Sequence, residues 1–442
     1  MSPRDVSVDL AAAGRRLRGE PSDFDPVVEA ARRARVVFIG EESHGTHEFY
    51  HVRAEISKRL VRDHGFSAVA IEGDWPDAYR VNEYVRGVGG DRDAGSALGG
   101  FQRFPQWMWR NTVVLEFVRW LRELNDERPE AQRAGFYGLD LYSLRASMEA
   151  VLRYLHQVDP EAAQRARYRY ACFDQYGEDP QDYGYAASFQ LTASCEREVI
   201  AQLIELRRRA SEYARRDGQL AADQQFFAEQ NALVVLNAER YYRSMFESRV
   251  SSWNLRDSHM AETLRALTAH LSAQGRTPRI VVWAHNSHVG DARATDMGRQ
   301  GEHTLGQLAR EHDPDGTLLV GFSTHRGWVT AASDWARPAE QMRVRNALPQ
   351  SYEALLHEVG GDLMFDLHDE RIASSLGEPR LQRAIGVVYR PQTERVSHYF
   401  HASLPSEFDL VLHYDETTAV EPLERGVHWT PGEVPETYPT AL

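Results

Sequence analysis

The chain has 442 residues, of which 42% are hydrophobic, and a formal charge of −14. This apolar fraction excludes a disordered chain, and the length without an obvious linker favours one large domain that carries an insertion. The 65 acidic and 51 basic residues are scattered, which argues against nucleic acid as a partner. No run approaches about 18 apolar residues, and no apolar leader begins the chain, so we expect a cytoplasmic protein that does not bind membranes.

Taken in chain order, the first 140 residues show short apolar runs that alternate with helical patterns. Apolar runs at 36–39, 68–71 and 133–140 predict strands, and amphipathic patterns at 48–63, 77–85 and 111–125 predict helices. Buried strands with intervening helices are typical of parallel β-α-β units.

From about residue 141 to 270 the pattern becomes helical and rich in Arg, Glu and Gln, which predicts a helical insertion. Strand patterns return afterwards, so 1–140 and 271–442 are expected to form one α/β core with a central, mostly parallel sheet flanked by helices. The later predicted strands are 279–284, 317–322, 363–367, 384–389 and 409–413.

Two cysteines are present, Cys172 and Cys195, and neither lies in a Cys-x-x-Cys or Cys/His cluster. A disulfide scaffold or a structural zinc site is therefore a poor explanation, and both are expected to be buried or incidental thiols.

Acids and imidazoles follow four predicted strands, at Glu41 to His44, at Glu72, at Asp140 and at His285 to His288. In open α/β sheets ligands bind outside the carboxyl ends of the strands, so these positions predict a functional cleft. A purely structural pocket has little need of clustered titratable groups.

Glu41 and His44 are three residues apart in a glycine-bounded loop, where a carboxylate can orient an imidazole as a general base. The alternative is that the loop only caps the next helix through Ser43 or Thr46. Arg53, on that helix, is either a ligand for a carboxylate or an oxyanion, or an exposed charge.

Glu72 follows an apolar strand and precedes a glycine, which predicts a partly desolvated carboxylate at the cleft floor; the alternative is an ion pair with Arg53 or Arg80. His285 is expected to polarise a carbonyl or protonate a leaving alkoxide, and His288 to contact the substrate. Metal binding by these histidines lacks a recognisable ligand motif, so neither a metal nor another cofactor is expected.

The segment 104–111 is aromatic and forms either a wall for an apolar ligand or part of the core. The chain has no Gly-x-Ser-x-Gly elbow, no Walker A motif and no Gly-x-Gly-x-x-Gly after the first strand, which argues against a serine hydrolase, a phosphate-binding loop and a dinucleotide-dependent enzyme. Attack on the substrate by an activated water is the mechanism that remains.

Several dispersed motifs resemble those of the erythromycin esterase family. They are IGEESHGTHEF at 39–49, EGDWP at 72–76, FYGLDLYS at 136–143, WNLRD at 253–257, WAHN at 283–286 and GDARA at 290–294. The resemblance implies a bacterial, metal-independent hydrolase in which His44 activates water while Glu41, Glu72, Arg53 and His285 surround it. It also implies that the helical insertion roofs the cleft.

Three functions stay open at this point. The first is hydrolysis of a small-molecule ester or macrolactone, as in macrolide resistance, without a covalent intermediate. The second is cyclisation, acyl transfer or elimination in natural-product biosynthesis at the same site. The third is a non-catalytic binder of an apolar ligand.

Overall fold

A computed structural model describes residues 3–176, 180–217, 219–246, 248–335 and 337–424. Its strands are β1 (Arg15–Arg16), β2 (Val36–Ile39), β3 (Ala68–Asp74), β4 (Gly135–Asp140), β5 (Ile280–Trp283), β6 (Thr317–Ala332), β7 (Ala339–Val344), β8 (Leu363–Asp366), β9 (Arg380–Arg383), β10 (Tyr399–Ala402) and β11 (Leu410–Thr417).

The helices are α1 (Pro3–Ala13), α2 (Asp25–Ala31), α3 (His47–Asp63), α4 (Trp75–Arg86), α5 (Ala94–Ala97), α6 (Thr112–Asp126), α7 (Leu144–Val158), α8 (Pro160–Tyr170), α9 (Pro180–Ser188), α10 (Glu196–Asp217), α11 (Gln219–Ser244), α12 (Arg249–Ala273), α13 (Asn286–Val289), α14 (Asp296–Arg299), α15 (Leu305–His312), α16 (Tyr352–Val359), α17 (Glu370–Leu376), α18 (Glu394–Ser397) and α19 (Leu404–Glu407).

Nine strands form one mixed sheet in the order β1-β8-β11-β6-β2-β5-β3-β4, with β7 paired to β6. The neighbours from β11 to β4 are all parallel, whereas β1, β7 and β8 pair antiparallel. The central strands are continuous apolar runs because helices cover both faces of the sheet. Residues of α3 and α6 pack on one face, and residues of α12 and α16 on the other. The expected α/β fold with a mostly parallel sheet is confirmed.

Between β4 and β5 the described residues form helices only, α7 to α12. Helices α7 to α11 share a core of their own, with Val151, Leu203 and Val235 among its members, whereas α12 packs its apolar residues against the sheet. That 141–270 is an insertion separate from the core stays a prediction. None of the helices in the described ranges has both the length and the apolar character that a bilayer crossing needs.

Two expectations are wrong. Cys172 and Cys195 form a disulfide with a Cα–Cα distance of 6.0 Å, because the fold of the helical segment places the two residues side by side. The predicted strand at 384–389 is buried but forms only isolated bridges, Ser43 to Ile385 and Ala332 to Val388. Its apolar pattern reflects burial against the loop after β2 and the end of β6, not membership of a strand ladder.

Candidate active site

One cavity of about 80 Å³ lies at the carboxyl ends of the adjacent strands β2, β5, β3 and β4. Parallel neighbours end at the same edge of a sheet, so side chains far apart in the chain meet there. The lining includes five of the acids and histidines predicted from strand ends, namely His44, Glu72, Asp140, His285 and His288.

His44 is held by Glu41. Nδ1 of His44 lies 2.8 Å from Oε1 of Glu41, and both side chains are buried. Because the carboxylate accepts the Nδ1 proton, Nε2 of the neutral ring is left as an acceptor. In the described part of the chain Nε2 has no hydrogen-bond partner, and the ring lines the cavity. An imidazole in this state can take a proton from water.

Arg53 contacts Glu41 and is not part of the cavity lining. Its guanidinium nitrogens lie 3.1 and 3.2 Å from the two carboxylate oxygens, and its Cζ lies 4.3 Å from the centre of the Tyr50 ring. The side chain is 0% exposed. The predicted contact between Arg53 and a substrate is therefore corrected: the guanidinium is buried behind Glu41 and compensates its charge.

The loop between β2 and α3 fixes the position of His44. The backbone N–H of His44 donates to the carbonyl of Ile385 at 3.0 Å. Gly45 has a φ of +78°, and a Cβ at this position would overlap the carbonyl oxygen of Thr330. Only glycine meets both requirements without strain, so the loop holds the imidazole in a defined place.

Thr46 occupies the N-cap of α3, yet its side chain makes no capping hydrogen bond. Its hydroxyl lies 2.5 Å from that of Ser43 instead. Side-chain capping, the alternative explanation of this loop, is therefore wrong.

Glu72 binds the guanidinium of Arg256, which α12 contributes. Nη2 of Arg256 donates to Oε1 of Glu72 at 2.8 Å, and the same guanidinium donates to Asp140 at 2.6 and 3.0 Å. Oε2 of Glu72 accepts the backbone N–H of His285 at 2.7 Å. Burial opposes ionisation, but His288 and Arg256 outweigh it and hold the pKa of Glu72 well below its ordinary value. Glu72 is thus ionised, and it holds Arg256 and the backbone of His285 in place at the floor of the cavity.

His285 uses both ring nitrogens inside the protein. Nε2 lies 3.0 Å from the carbonyl oxygen of Glu42, and Nδ1 lies 2.8 Å from Oγ of Ser287 and 3.2 Å from its N–H. Burial and the nearby His44, whose ring centre is 4.7 Å away, lower the pKa of His285 well below 6.5. A neutral ring with no spare N–H does not fit the proton-donor role expected of His285.

His288 lies among carboxylates. Nδ1 is 2.7 Å from Oδ1 of Asp257, and Nε2 is 3.3 Å from Oε1 of Glu72 and 2.9 Å from Nη1 of Arg256. The ring stacks on Trp253 at 4.6 Å between centres. Burial disfavours its charge, but Asp257 and Glu72 outweigh burial and raise the pKa of His288 to about 9.

The remaining lining combines aromatic side chains with the carboxylates of Asp74 and Asp77. Oδ2 of Asp74 accepts from Arg103 at 3.0 Å, and Oδ1 is buried without a hydrogen-bond partner among the described residues. Burial raises the pKa of Asp74, and burial beside Asp74 raises that of Asp77 to about 8. Part of the segment 104–111 does form a wall of the cavity. The large apolar and aromatic lining residues are Phe101, Phe104, Met108, Trp109, Tyr142, Trp253 and Trp335.

Arg256 and Asp257 received no role from the strand-end patterns, because α12 brings them to the cavity from a distant part of the chain. Within the described ranges Glu72 forms ion pairs with Arg256 and His288, and not with Arg53 or Arg80, which were the partners in the alternative interpretation of Glu72. The motif at 253–257 is the signal in the sequence that could have identified them. Within the described ranges, no three His, Cys, Asp or Glu side chains are placed to hold a metal ion together.

Comparisons with known proteins agree with the motifs. A family model described as Erythromycin esterase matches residues 61–417, which include Glu72, His285 and His288 and begin after His44. The curated erythromycin esterase type II of Escherichia coli is 23% identical over 320 residues, which are 70% of this chain and 73% of that protein.

Three solved structures share the fold. A crystal structure described as a succinoglycan biosynthesis protein gives a TM-score of 0.75 at 19% identity and covers 95% of this chain and 98% of its own. A protein from Bacillus cereus gives 0.75 at 18% identity, covering 96% and 100%. A mutant of the erythromycin esterase EreC in its open conformation gives 0.65 at 14% identity, covering 94% and 96%. Since the family model spans most of the sequence, this chain belongs to the erythromycin esterase family.

Proposed function

We propose that this chain hydrolyses an ester or lactone by direct attack of water that His44 activates. The observation that carries the proposal is the Glu41–His44 pair, which leaves Nε2 of an oriented imidazole facing a cavity without a partner among the described residues. Membership of the erythromycin esterase family supports a hydrolase-like reaction. Neither a biosynthetic rearrangement nor passive ligand binding has a comparable observation in its favour.

In the first step the water oxygen attacks the acyl carbon while Nε2 of His44 takes a water proton. Glu41 stabilises the resulting imidazolium, and Arg53 pairs with Glu41 and holds it in place. The tetrahedral intermediate places negative charge on the former carbonyl oxygen, and the cation Arg256 in the lining stabilises it. The bond between the acyl carbon and the leaving oxygen then breaks, and the proton that His44 took from water passes to the leaving oxygen, which gives the alcohol and restores the neutral imidazole.

The substrate we propose is a neutral, bulky ester or macrolactone. A volume of about 80 Å³ accommodates the ester group and the atoms next to it, so the rest of a bulky molecule lies against aromatic residues such as Trp109 and Trp335. Glu41, His285 and Arg53 act as positioning residues in this mechanism, and Glu72 organises the floor.

The test is the mass of the products after purified, chelator-treated protein is incubated with a panel of macrolides and simple aryl esters in water labelled with oxygen-18. Hydrolysis adds one water and places the label in the carboxylate product. His44→Ala removes the base and is expected to lower kcat/KM by about 10²–10⁴-fold with folding retained. His51→Ala, on the exposed side of α3, is the matched control and is expected to keep wild-type activity.

Label in the alcohol product would replace acyl attack with cleavage of the other C–O bond. Full activity of His44→Ala would overturn the base assignment. Products without added water would move the reaction to cyclisation or elimination.

A further inference from the structure

We propose that the backbone N–H of Gly386 is an oxyanion donor, which binds the carbonyl oxygen of the ester when that oxygen becomes negatively charged. This inference rests on the proposed hydrolysis and adds to it a group that touches the reacting atoms. The donor belongs to the segment 384–389, which packs on the loop that carries His44.

The N–H of Gly386 is unpaired. Among the residues that the structure describes, none accepts a hydrogen bond from it. Two other N–H groups of the segment are paired: that of Ile385 donates to the carbonyl of Glu42 at 2.9 Å, and that of Tyr389 to the carbonyl of Ala332 at 3.0 Å. Backbone N–H groups that are shut off from solvent are nearly always paired. Gly386 is partly exposed and lines the cavity, so its N–H is open to a ligand there.

One peptide group joins this N–H to the base. The carbonyl oxygen of Ile385 accepts the backbone N–H of His44 at 3.0 Å, and the N–H of Gly386 is the other end of the same peptide group. In a trans peptide the C=O and the N–H point in opposite directions, so the N–H of Gly386 points away from the loop. The hydrogen bond to the carbonyl also polarises the peptide and strengthens its N–H as a donor. The contact that places His44 therefore places the donor as well.

The lack of a side chain at position 386 gives a substrate access to the backbone. The φ of Gly386 is not positive, and a Cβ there would meet no atom within 4 Å, so neither conformation nor packing requires glycine. The N–H groups of Val387 and Val388 also lack an acceptor among the described residues, but branched side chains stand beside them. Gly386 is thus the position in this part of the lining where a ligand atom can approach the main chain closely.

The cation in the lining leaves room for such a donor. Nε and one N–H of Nη2 of Arg256 donate to Asp140, and the other N–H of Nη2 donates to Glu72. Nη1 lies 2.9 Å from Nε2 of His288. Four of the five N–H groups of the guanidinium are thus directed at protein atoms. Arg256 contributes its charge, and Gly386 contributes a hydrogen bond to the atom on which negative charge develops.

The N–H of Gly386 keeps its proton throughout the reaction. As the water oxygen bonds to the acyl carbon, the π pair of the carbonyl moves to its oxygen, which accepts this N–H, while Nε2 of His44 takes the water proton. When the bond to the leaving oxygen breaks, the electron pair returns and forms the C=O of the acid. The leaving oxygen takes the proton from His44.

The first experiment observes the Gly386 amide by NMR. Protein labelled with carbon-13 at the carbonyl of isoleucine and with nitrogen-15 in glycine shows only the glycines that follow isoleucine, which are Gly40 and Gly386. The probe is methyl methylphosphonate, a tetrahedral anion that resembles the intermediate. The Gly386 amide proton is expected to move downfield and to saturate, because it gains an acceptor. Gly40 is the control in the same spectrum: its N–H donates to the carbonyl of Val320 at 2.8 Å and should move much less.

The second experiment removes the donor. Glycolic acid in place of Gly386, introduced by nonsense suppression, replaces the N–H by an ester oxygen and keeps the shape of the chain. We expect kcat for ester hydrolysis to fall about 10²-fold and KM to change less than about threefold, since the donor acts mainly in the transition state. Glycolic acid in place of Gly90 is the matched control with wild-type activity. Gly90 lies outside the cavity lining, its N–H also lacks an acceptor among the described residues, and a Cβ there would meet nothing within 4 Å.

A Gly386 signal that the phosphonate does not move overturns the proposal, as does wild-type kcat with glycolic acid at position 386. An equal loss of kcat with glycolic acid at position 90 overturns it too, because the loss would then come from the ester linkage itself. Wild-type protein that hydrolyses no ester overturns the proposed function. The NMR arm needs no turnover and still decides whether Gly386 binds a tetrahedral anion, so the two failures are distinguishable.

Discussion

The positive charge of Arg53 compensates the negative charge of Glu41. It lies fully buried beneath Glu41, with Tyr50 and Trp283 around its guanidinium. Removing one partner of a buried ion pair leaves the other charge uncompensated, which costs far more than losing an exposed pair. The effect of Arg53 on catalysis therefore passes through Glu41 and the imidazole that Glu41 holds.

We expect Arg53→Met to lower the free energy of unfolding by about 3–5 kcal/mol and to reduce kcat, because Glu41 then lies unpaired in the core. The measurement is urea denaturation together with ester turnover. Arg59→Met is the matched control on the same helix, since it removes a half-exposed pair with Asp25 worth less than about 1 kcal/mol. Equal losses in the two variants would contradict the buried-pair account.

The sequence alone brings together Glu72, His44 and His285, because they follow strands that prove to be neighbours in the sheet. It does not reveal that both ring nitrogens of His285 are engaged, since the carbonyl of Glu42 that occupies Nε2 is 243 residues away in the chain. The residues at strand ends do not predict the contact of Arg256 for the same reason, since Arg256 and Glu72, which it binds, are 184 residues apart in the chain. Local patterns predict where polar groups emerge, and tertiary contacts decide their roles.

At the scale of elements, the loop between β2 and α3 is the part of the scaffold on which the base depends most directly. Gly45 and the isolated bridge from Ser43 to Ile385 hold it against the segment 384–389. That segment was predicted as a strand because its residues form an apolar run, and the structure shows that its apolar residues are buried. Burial alone cannot tell a ladder strand from a chain that packs on a loop, since both give an apolar run.

We expect Gly45→Ala to destabilise the protein more than Gly65→Ala. Both glycines have positive φ, +78° and +70°, so both substitutions carry a backbone cost of about 1–2 kcal/mol. Around Gly65 a Cβ meets nothing within 4 Å, whereas at Gly45 it overlaps backbone of β6, which adds about 1–3 kcal/mol. Gly45→Ala should also lower kcat, because the loop carries His44. Thermal unfolding and turnover of both variants test this, and similar stabilities would argue against close packing at the loop.

At the scale of the whole molecule, buried histidines give stability a pH optimum. Burial lowers the pKa of His259, His325 and His398 to about 4, against 6.5 for an exposed histidine. Their contribution is present above about pH 6.5 and is lost as the pH falls towards 4, because the unfolded chain binds protons more readily. His288 has the opposite sign: its contribution is present below 6.5 and is lost as the pH rises through about 9.

We therefore expect the free energy of unfolding to be greatest near pH 6.5–7 and to fall on both sides. Urea denaturation between pH 4.5 and 9.5 measures the profile. His325→Asn removes one group that titrates on the acid side, so its loss between pH 7 and 4.5 should be about 1–3 kcal/mol smaller than that of the wild type. A profile that keeps rising to pH 9.5 would mean that His288 is not stabilised as a cation.

The cavity lining runs along the chain from His44 to Val388, with side chains from both halves of the sheet and from α12 between them. During synthesis on the ribosome, Glu41 and His44 emerge before the rest of the lining, and the segment 384–389 that packs on their loop contains the last lining residues. A nascent chain therefore carries the base that we propose without a cleft around it. We expect any hydrolytic activity to begin only after residues 384–389 have been translated.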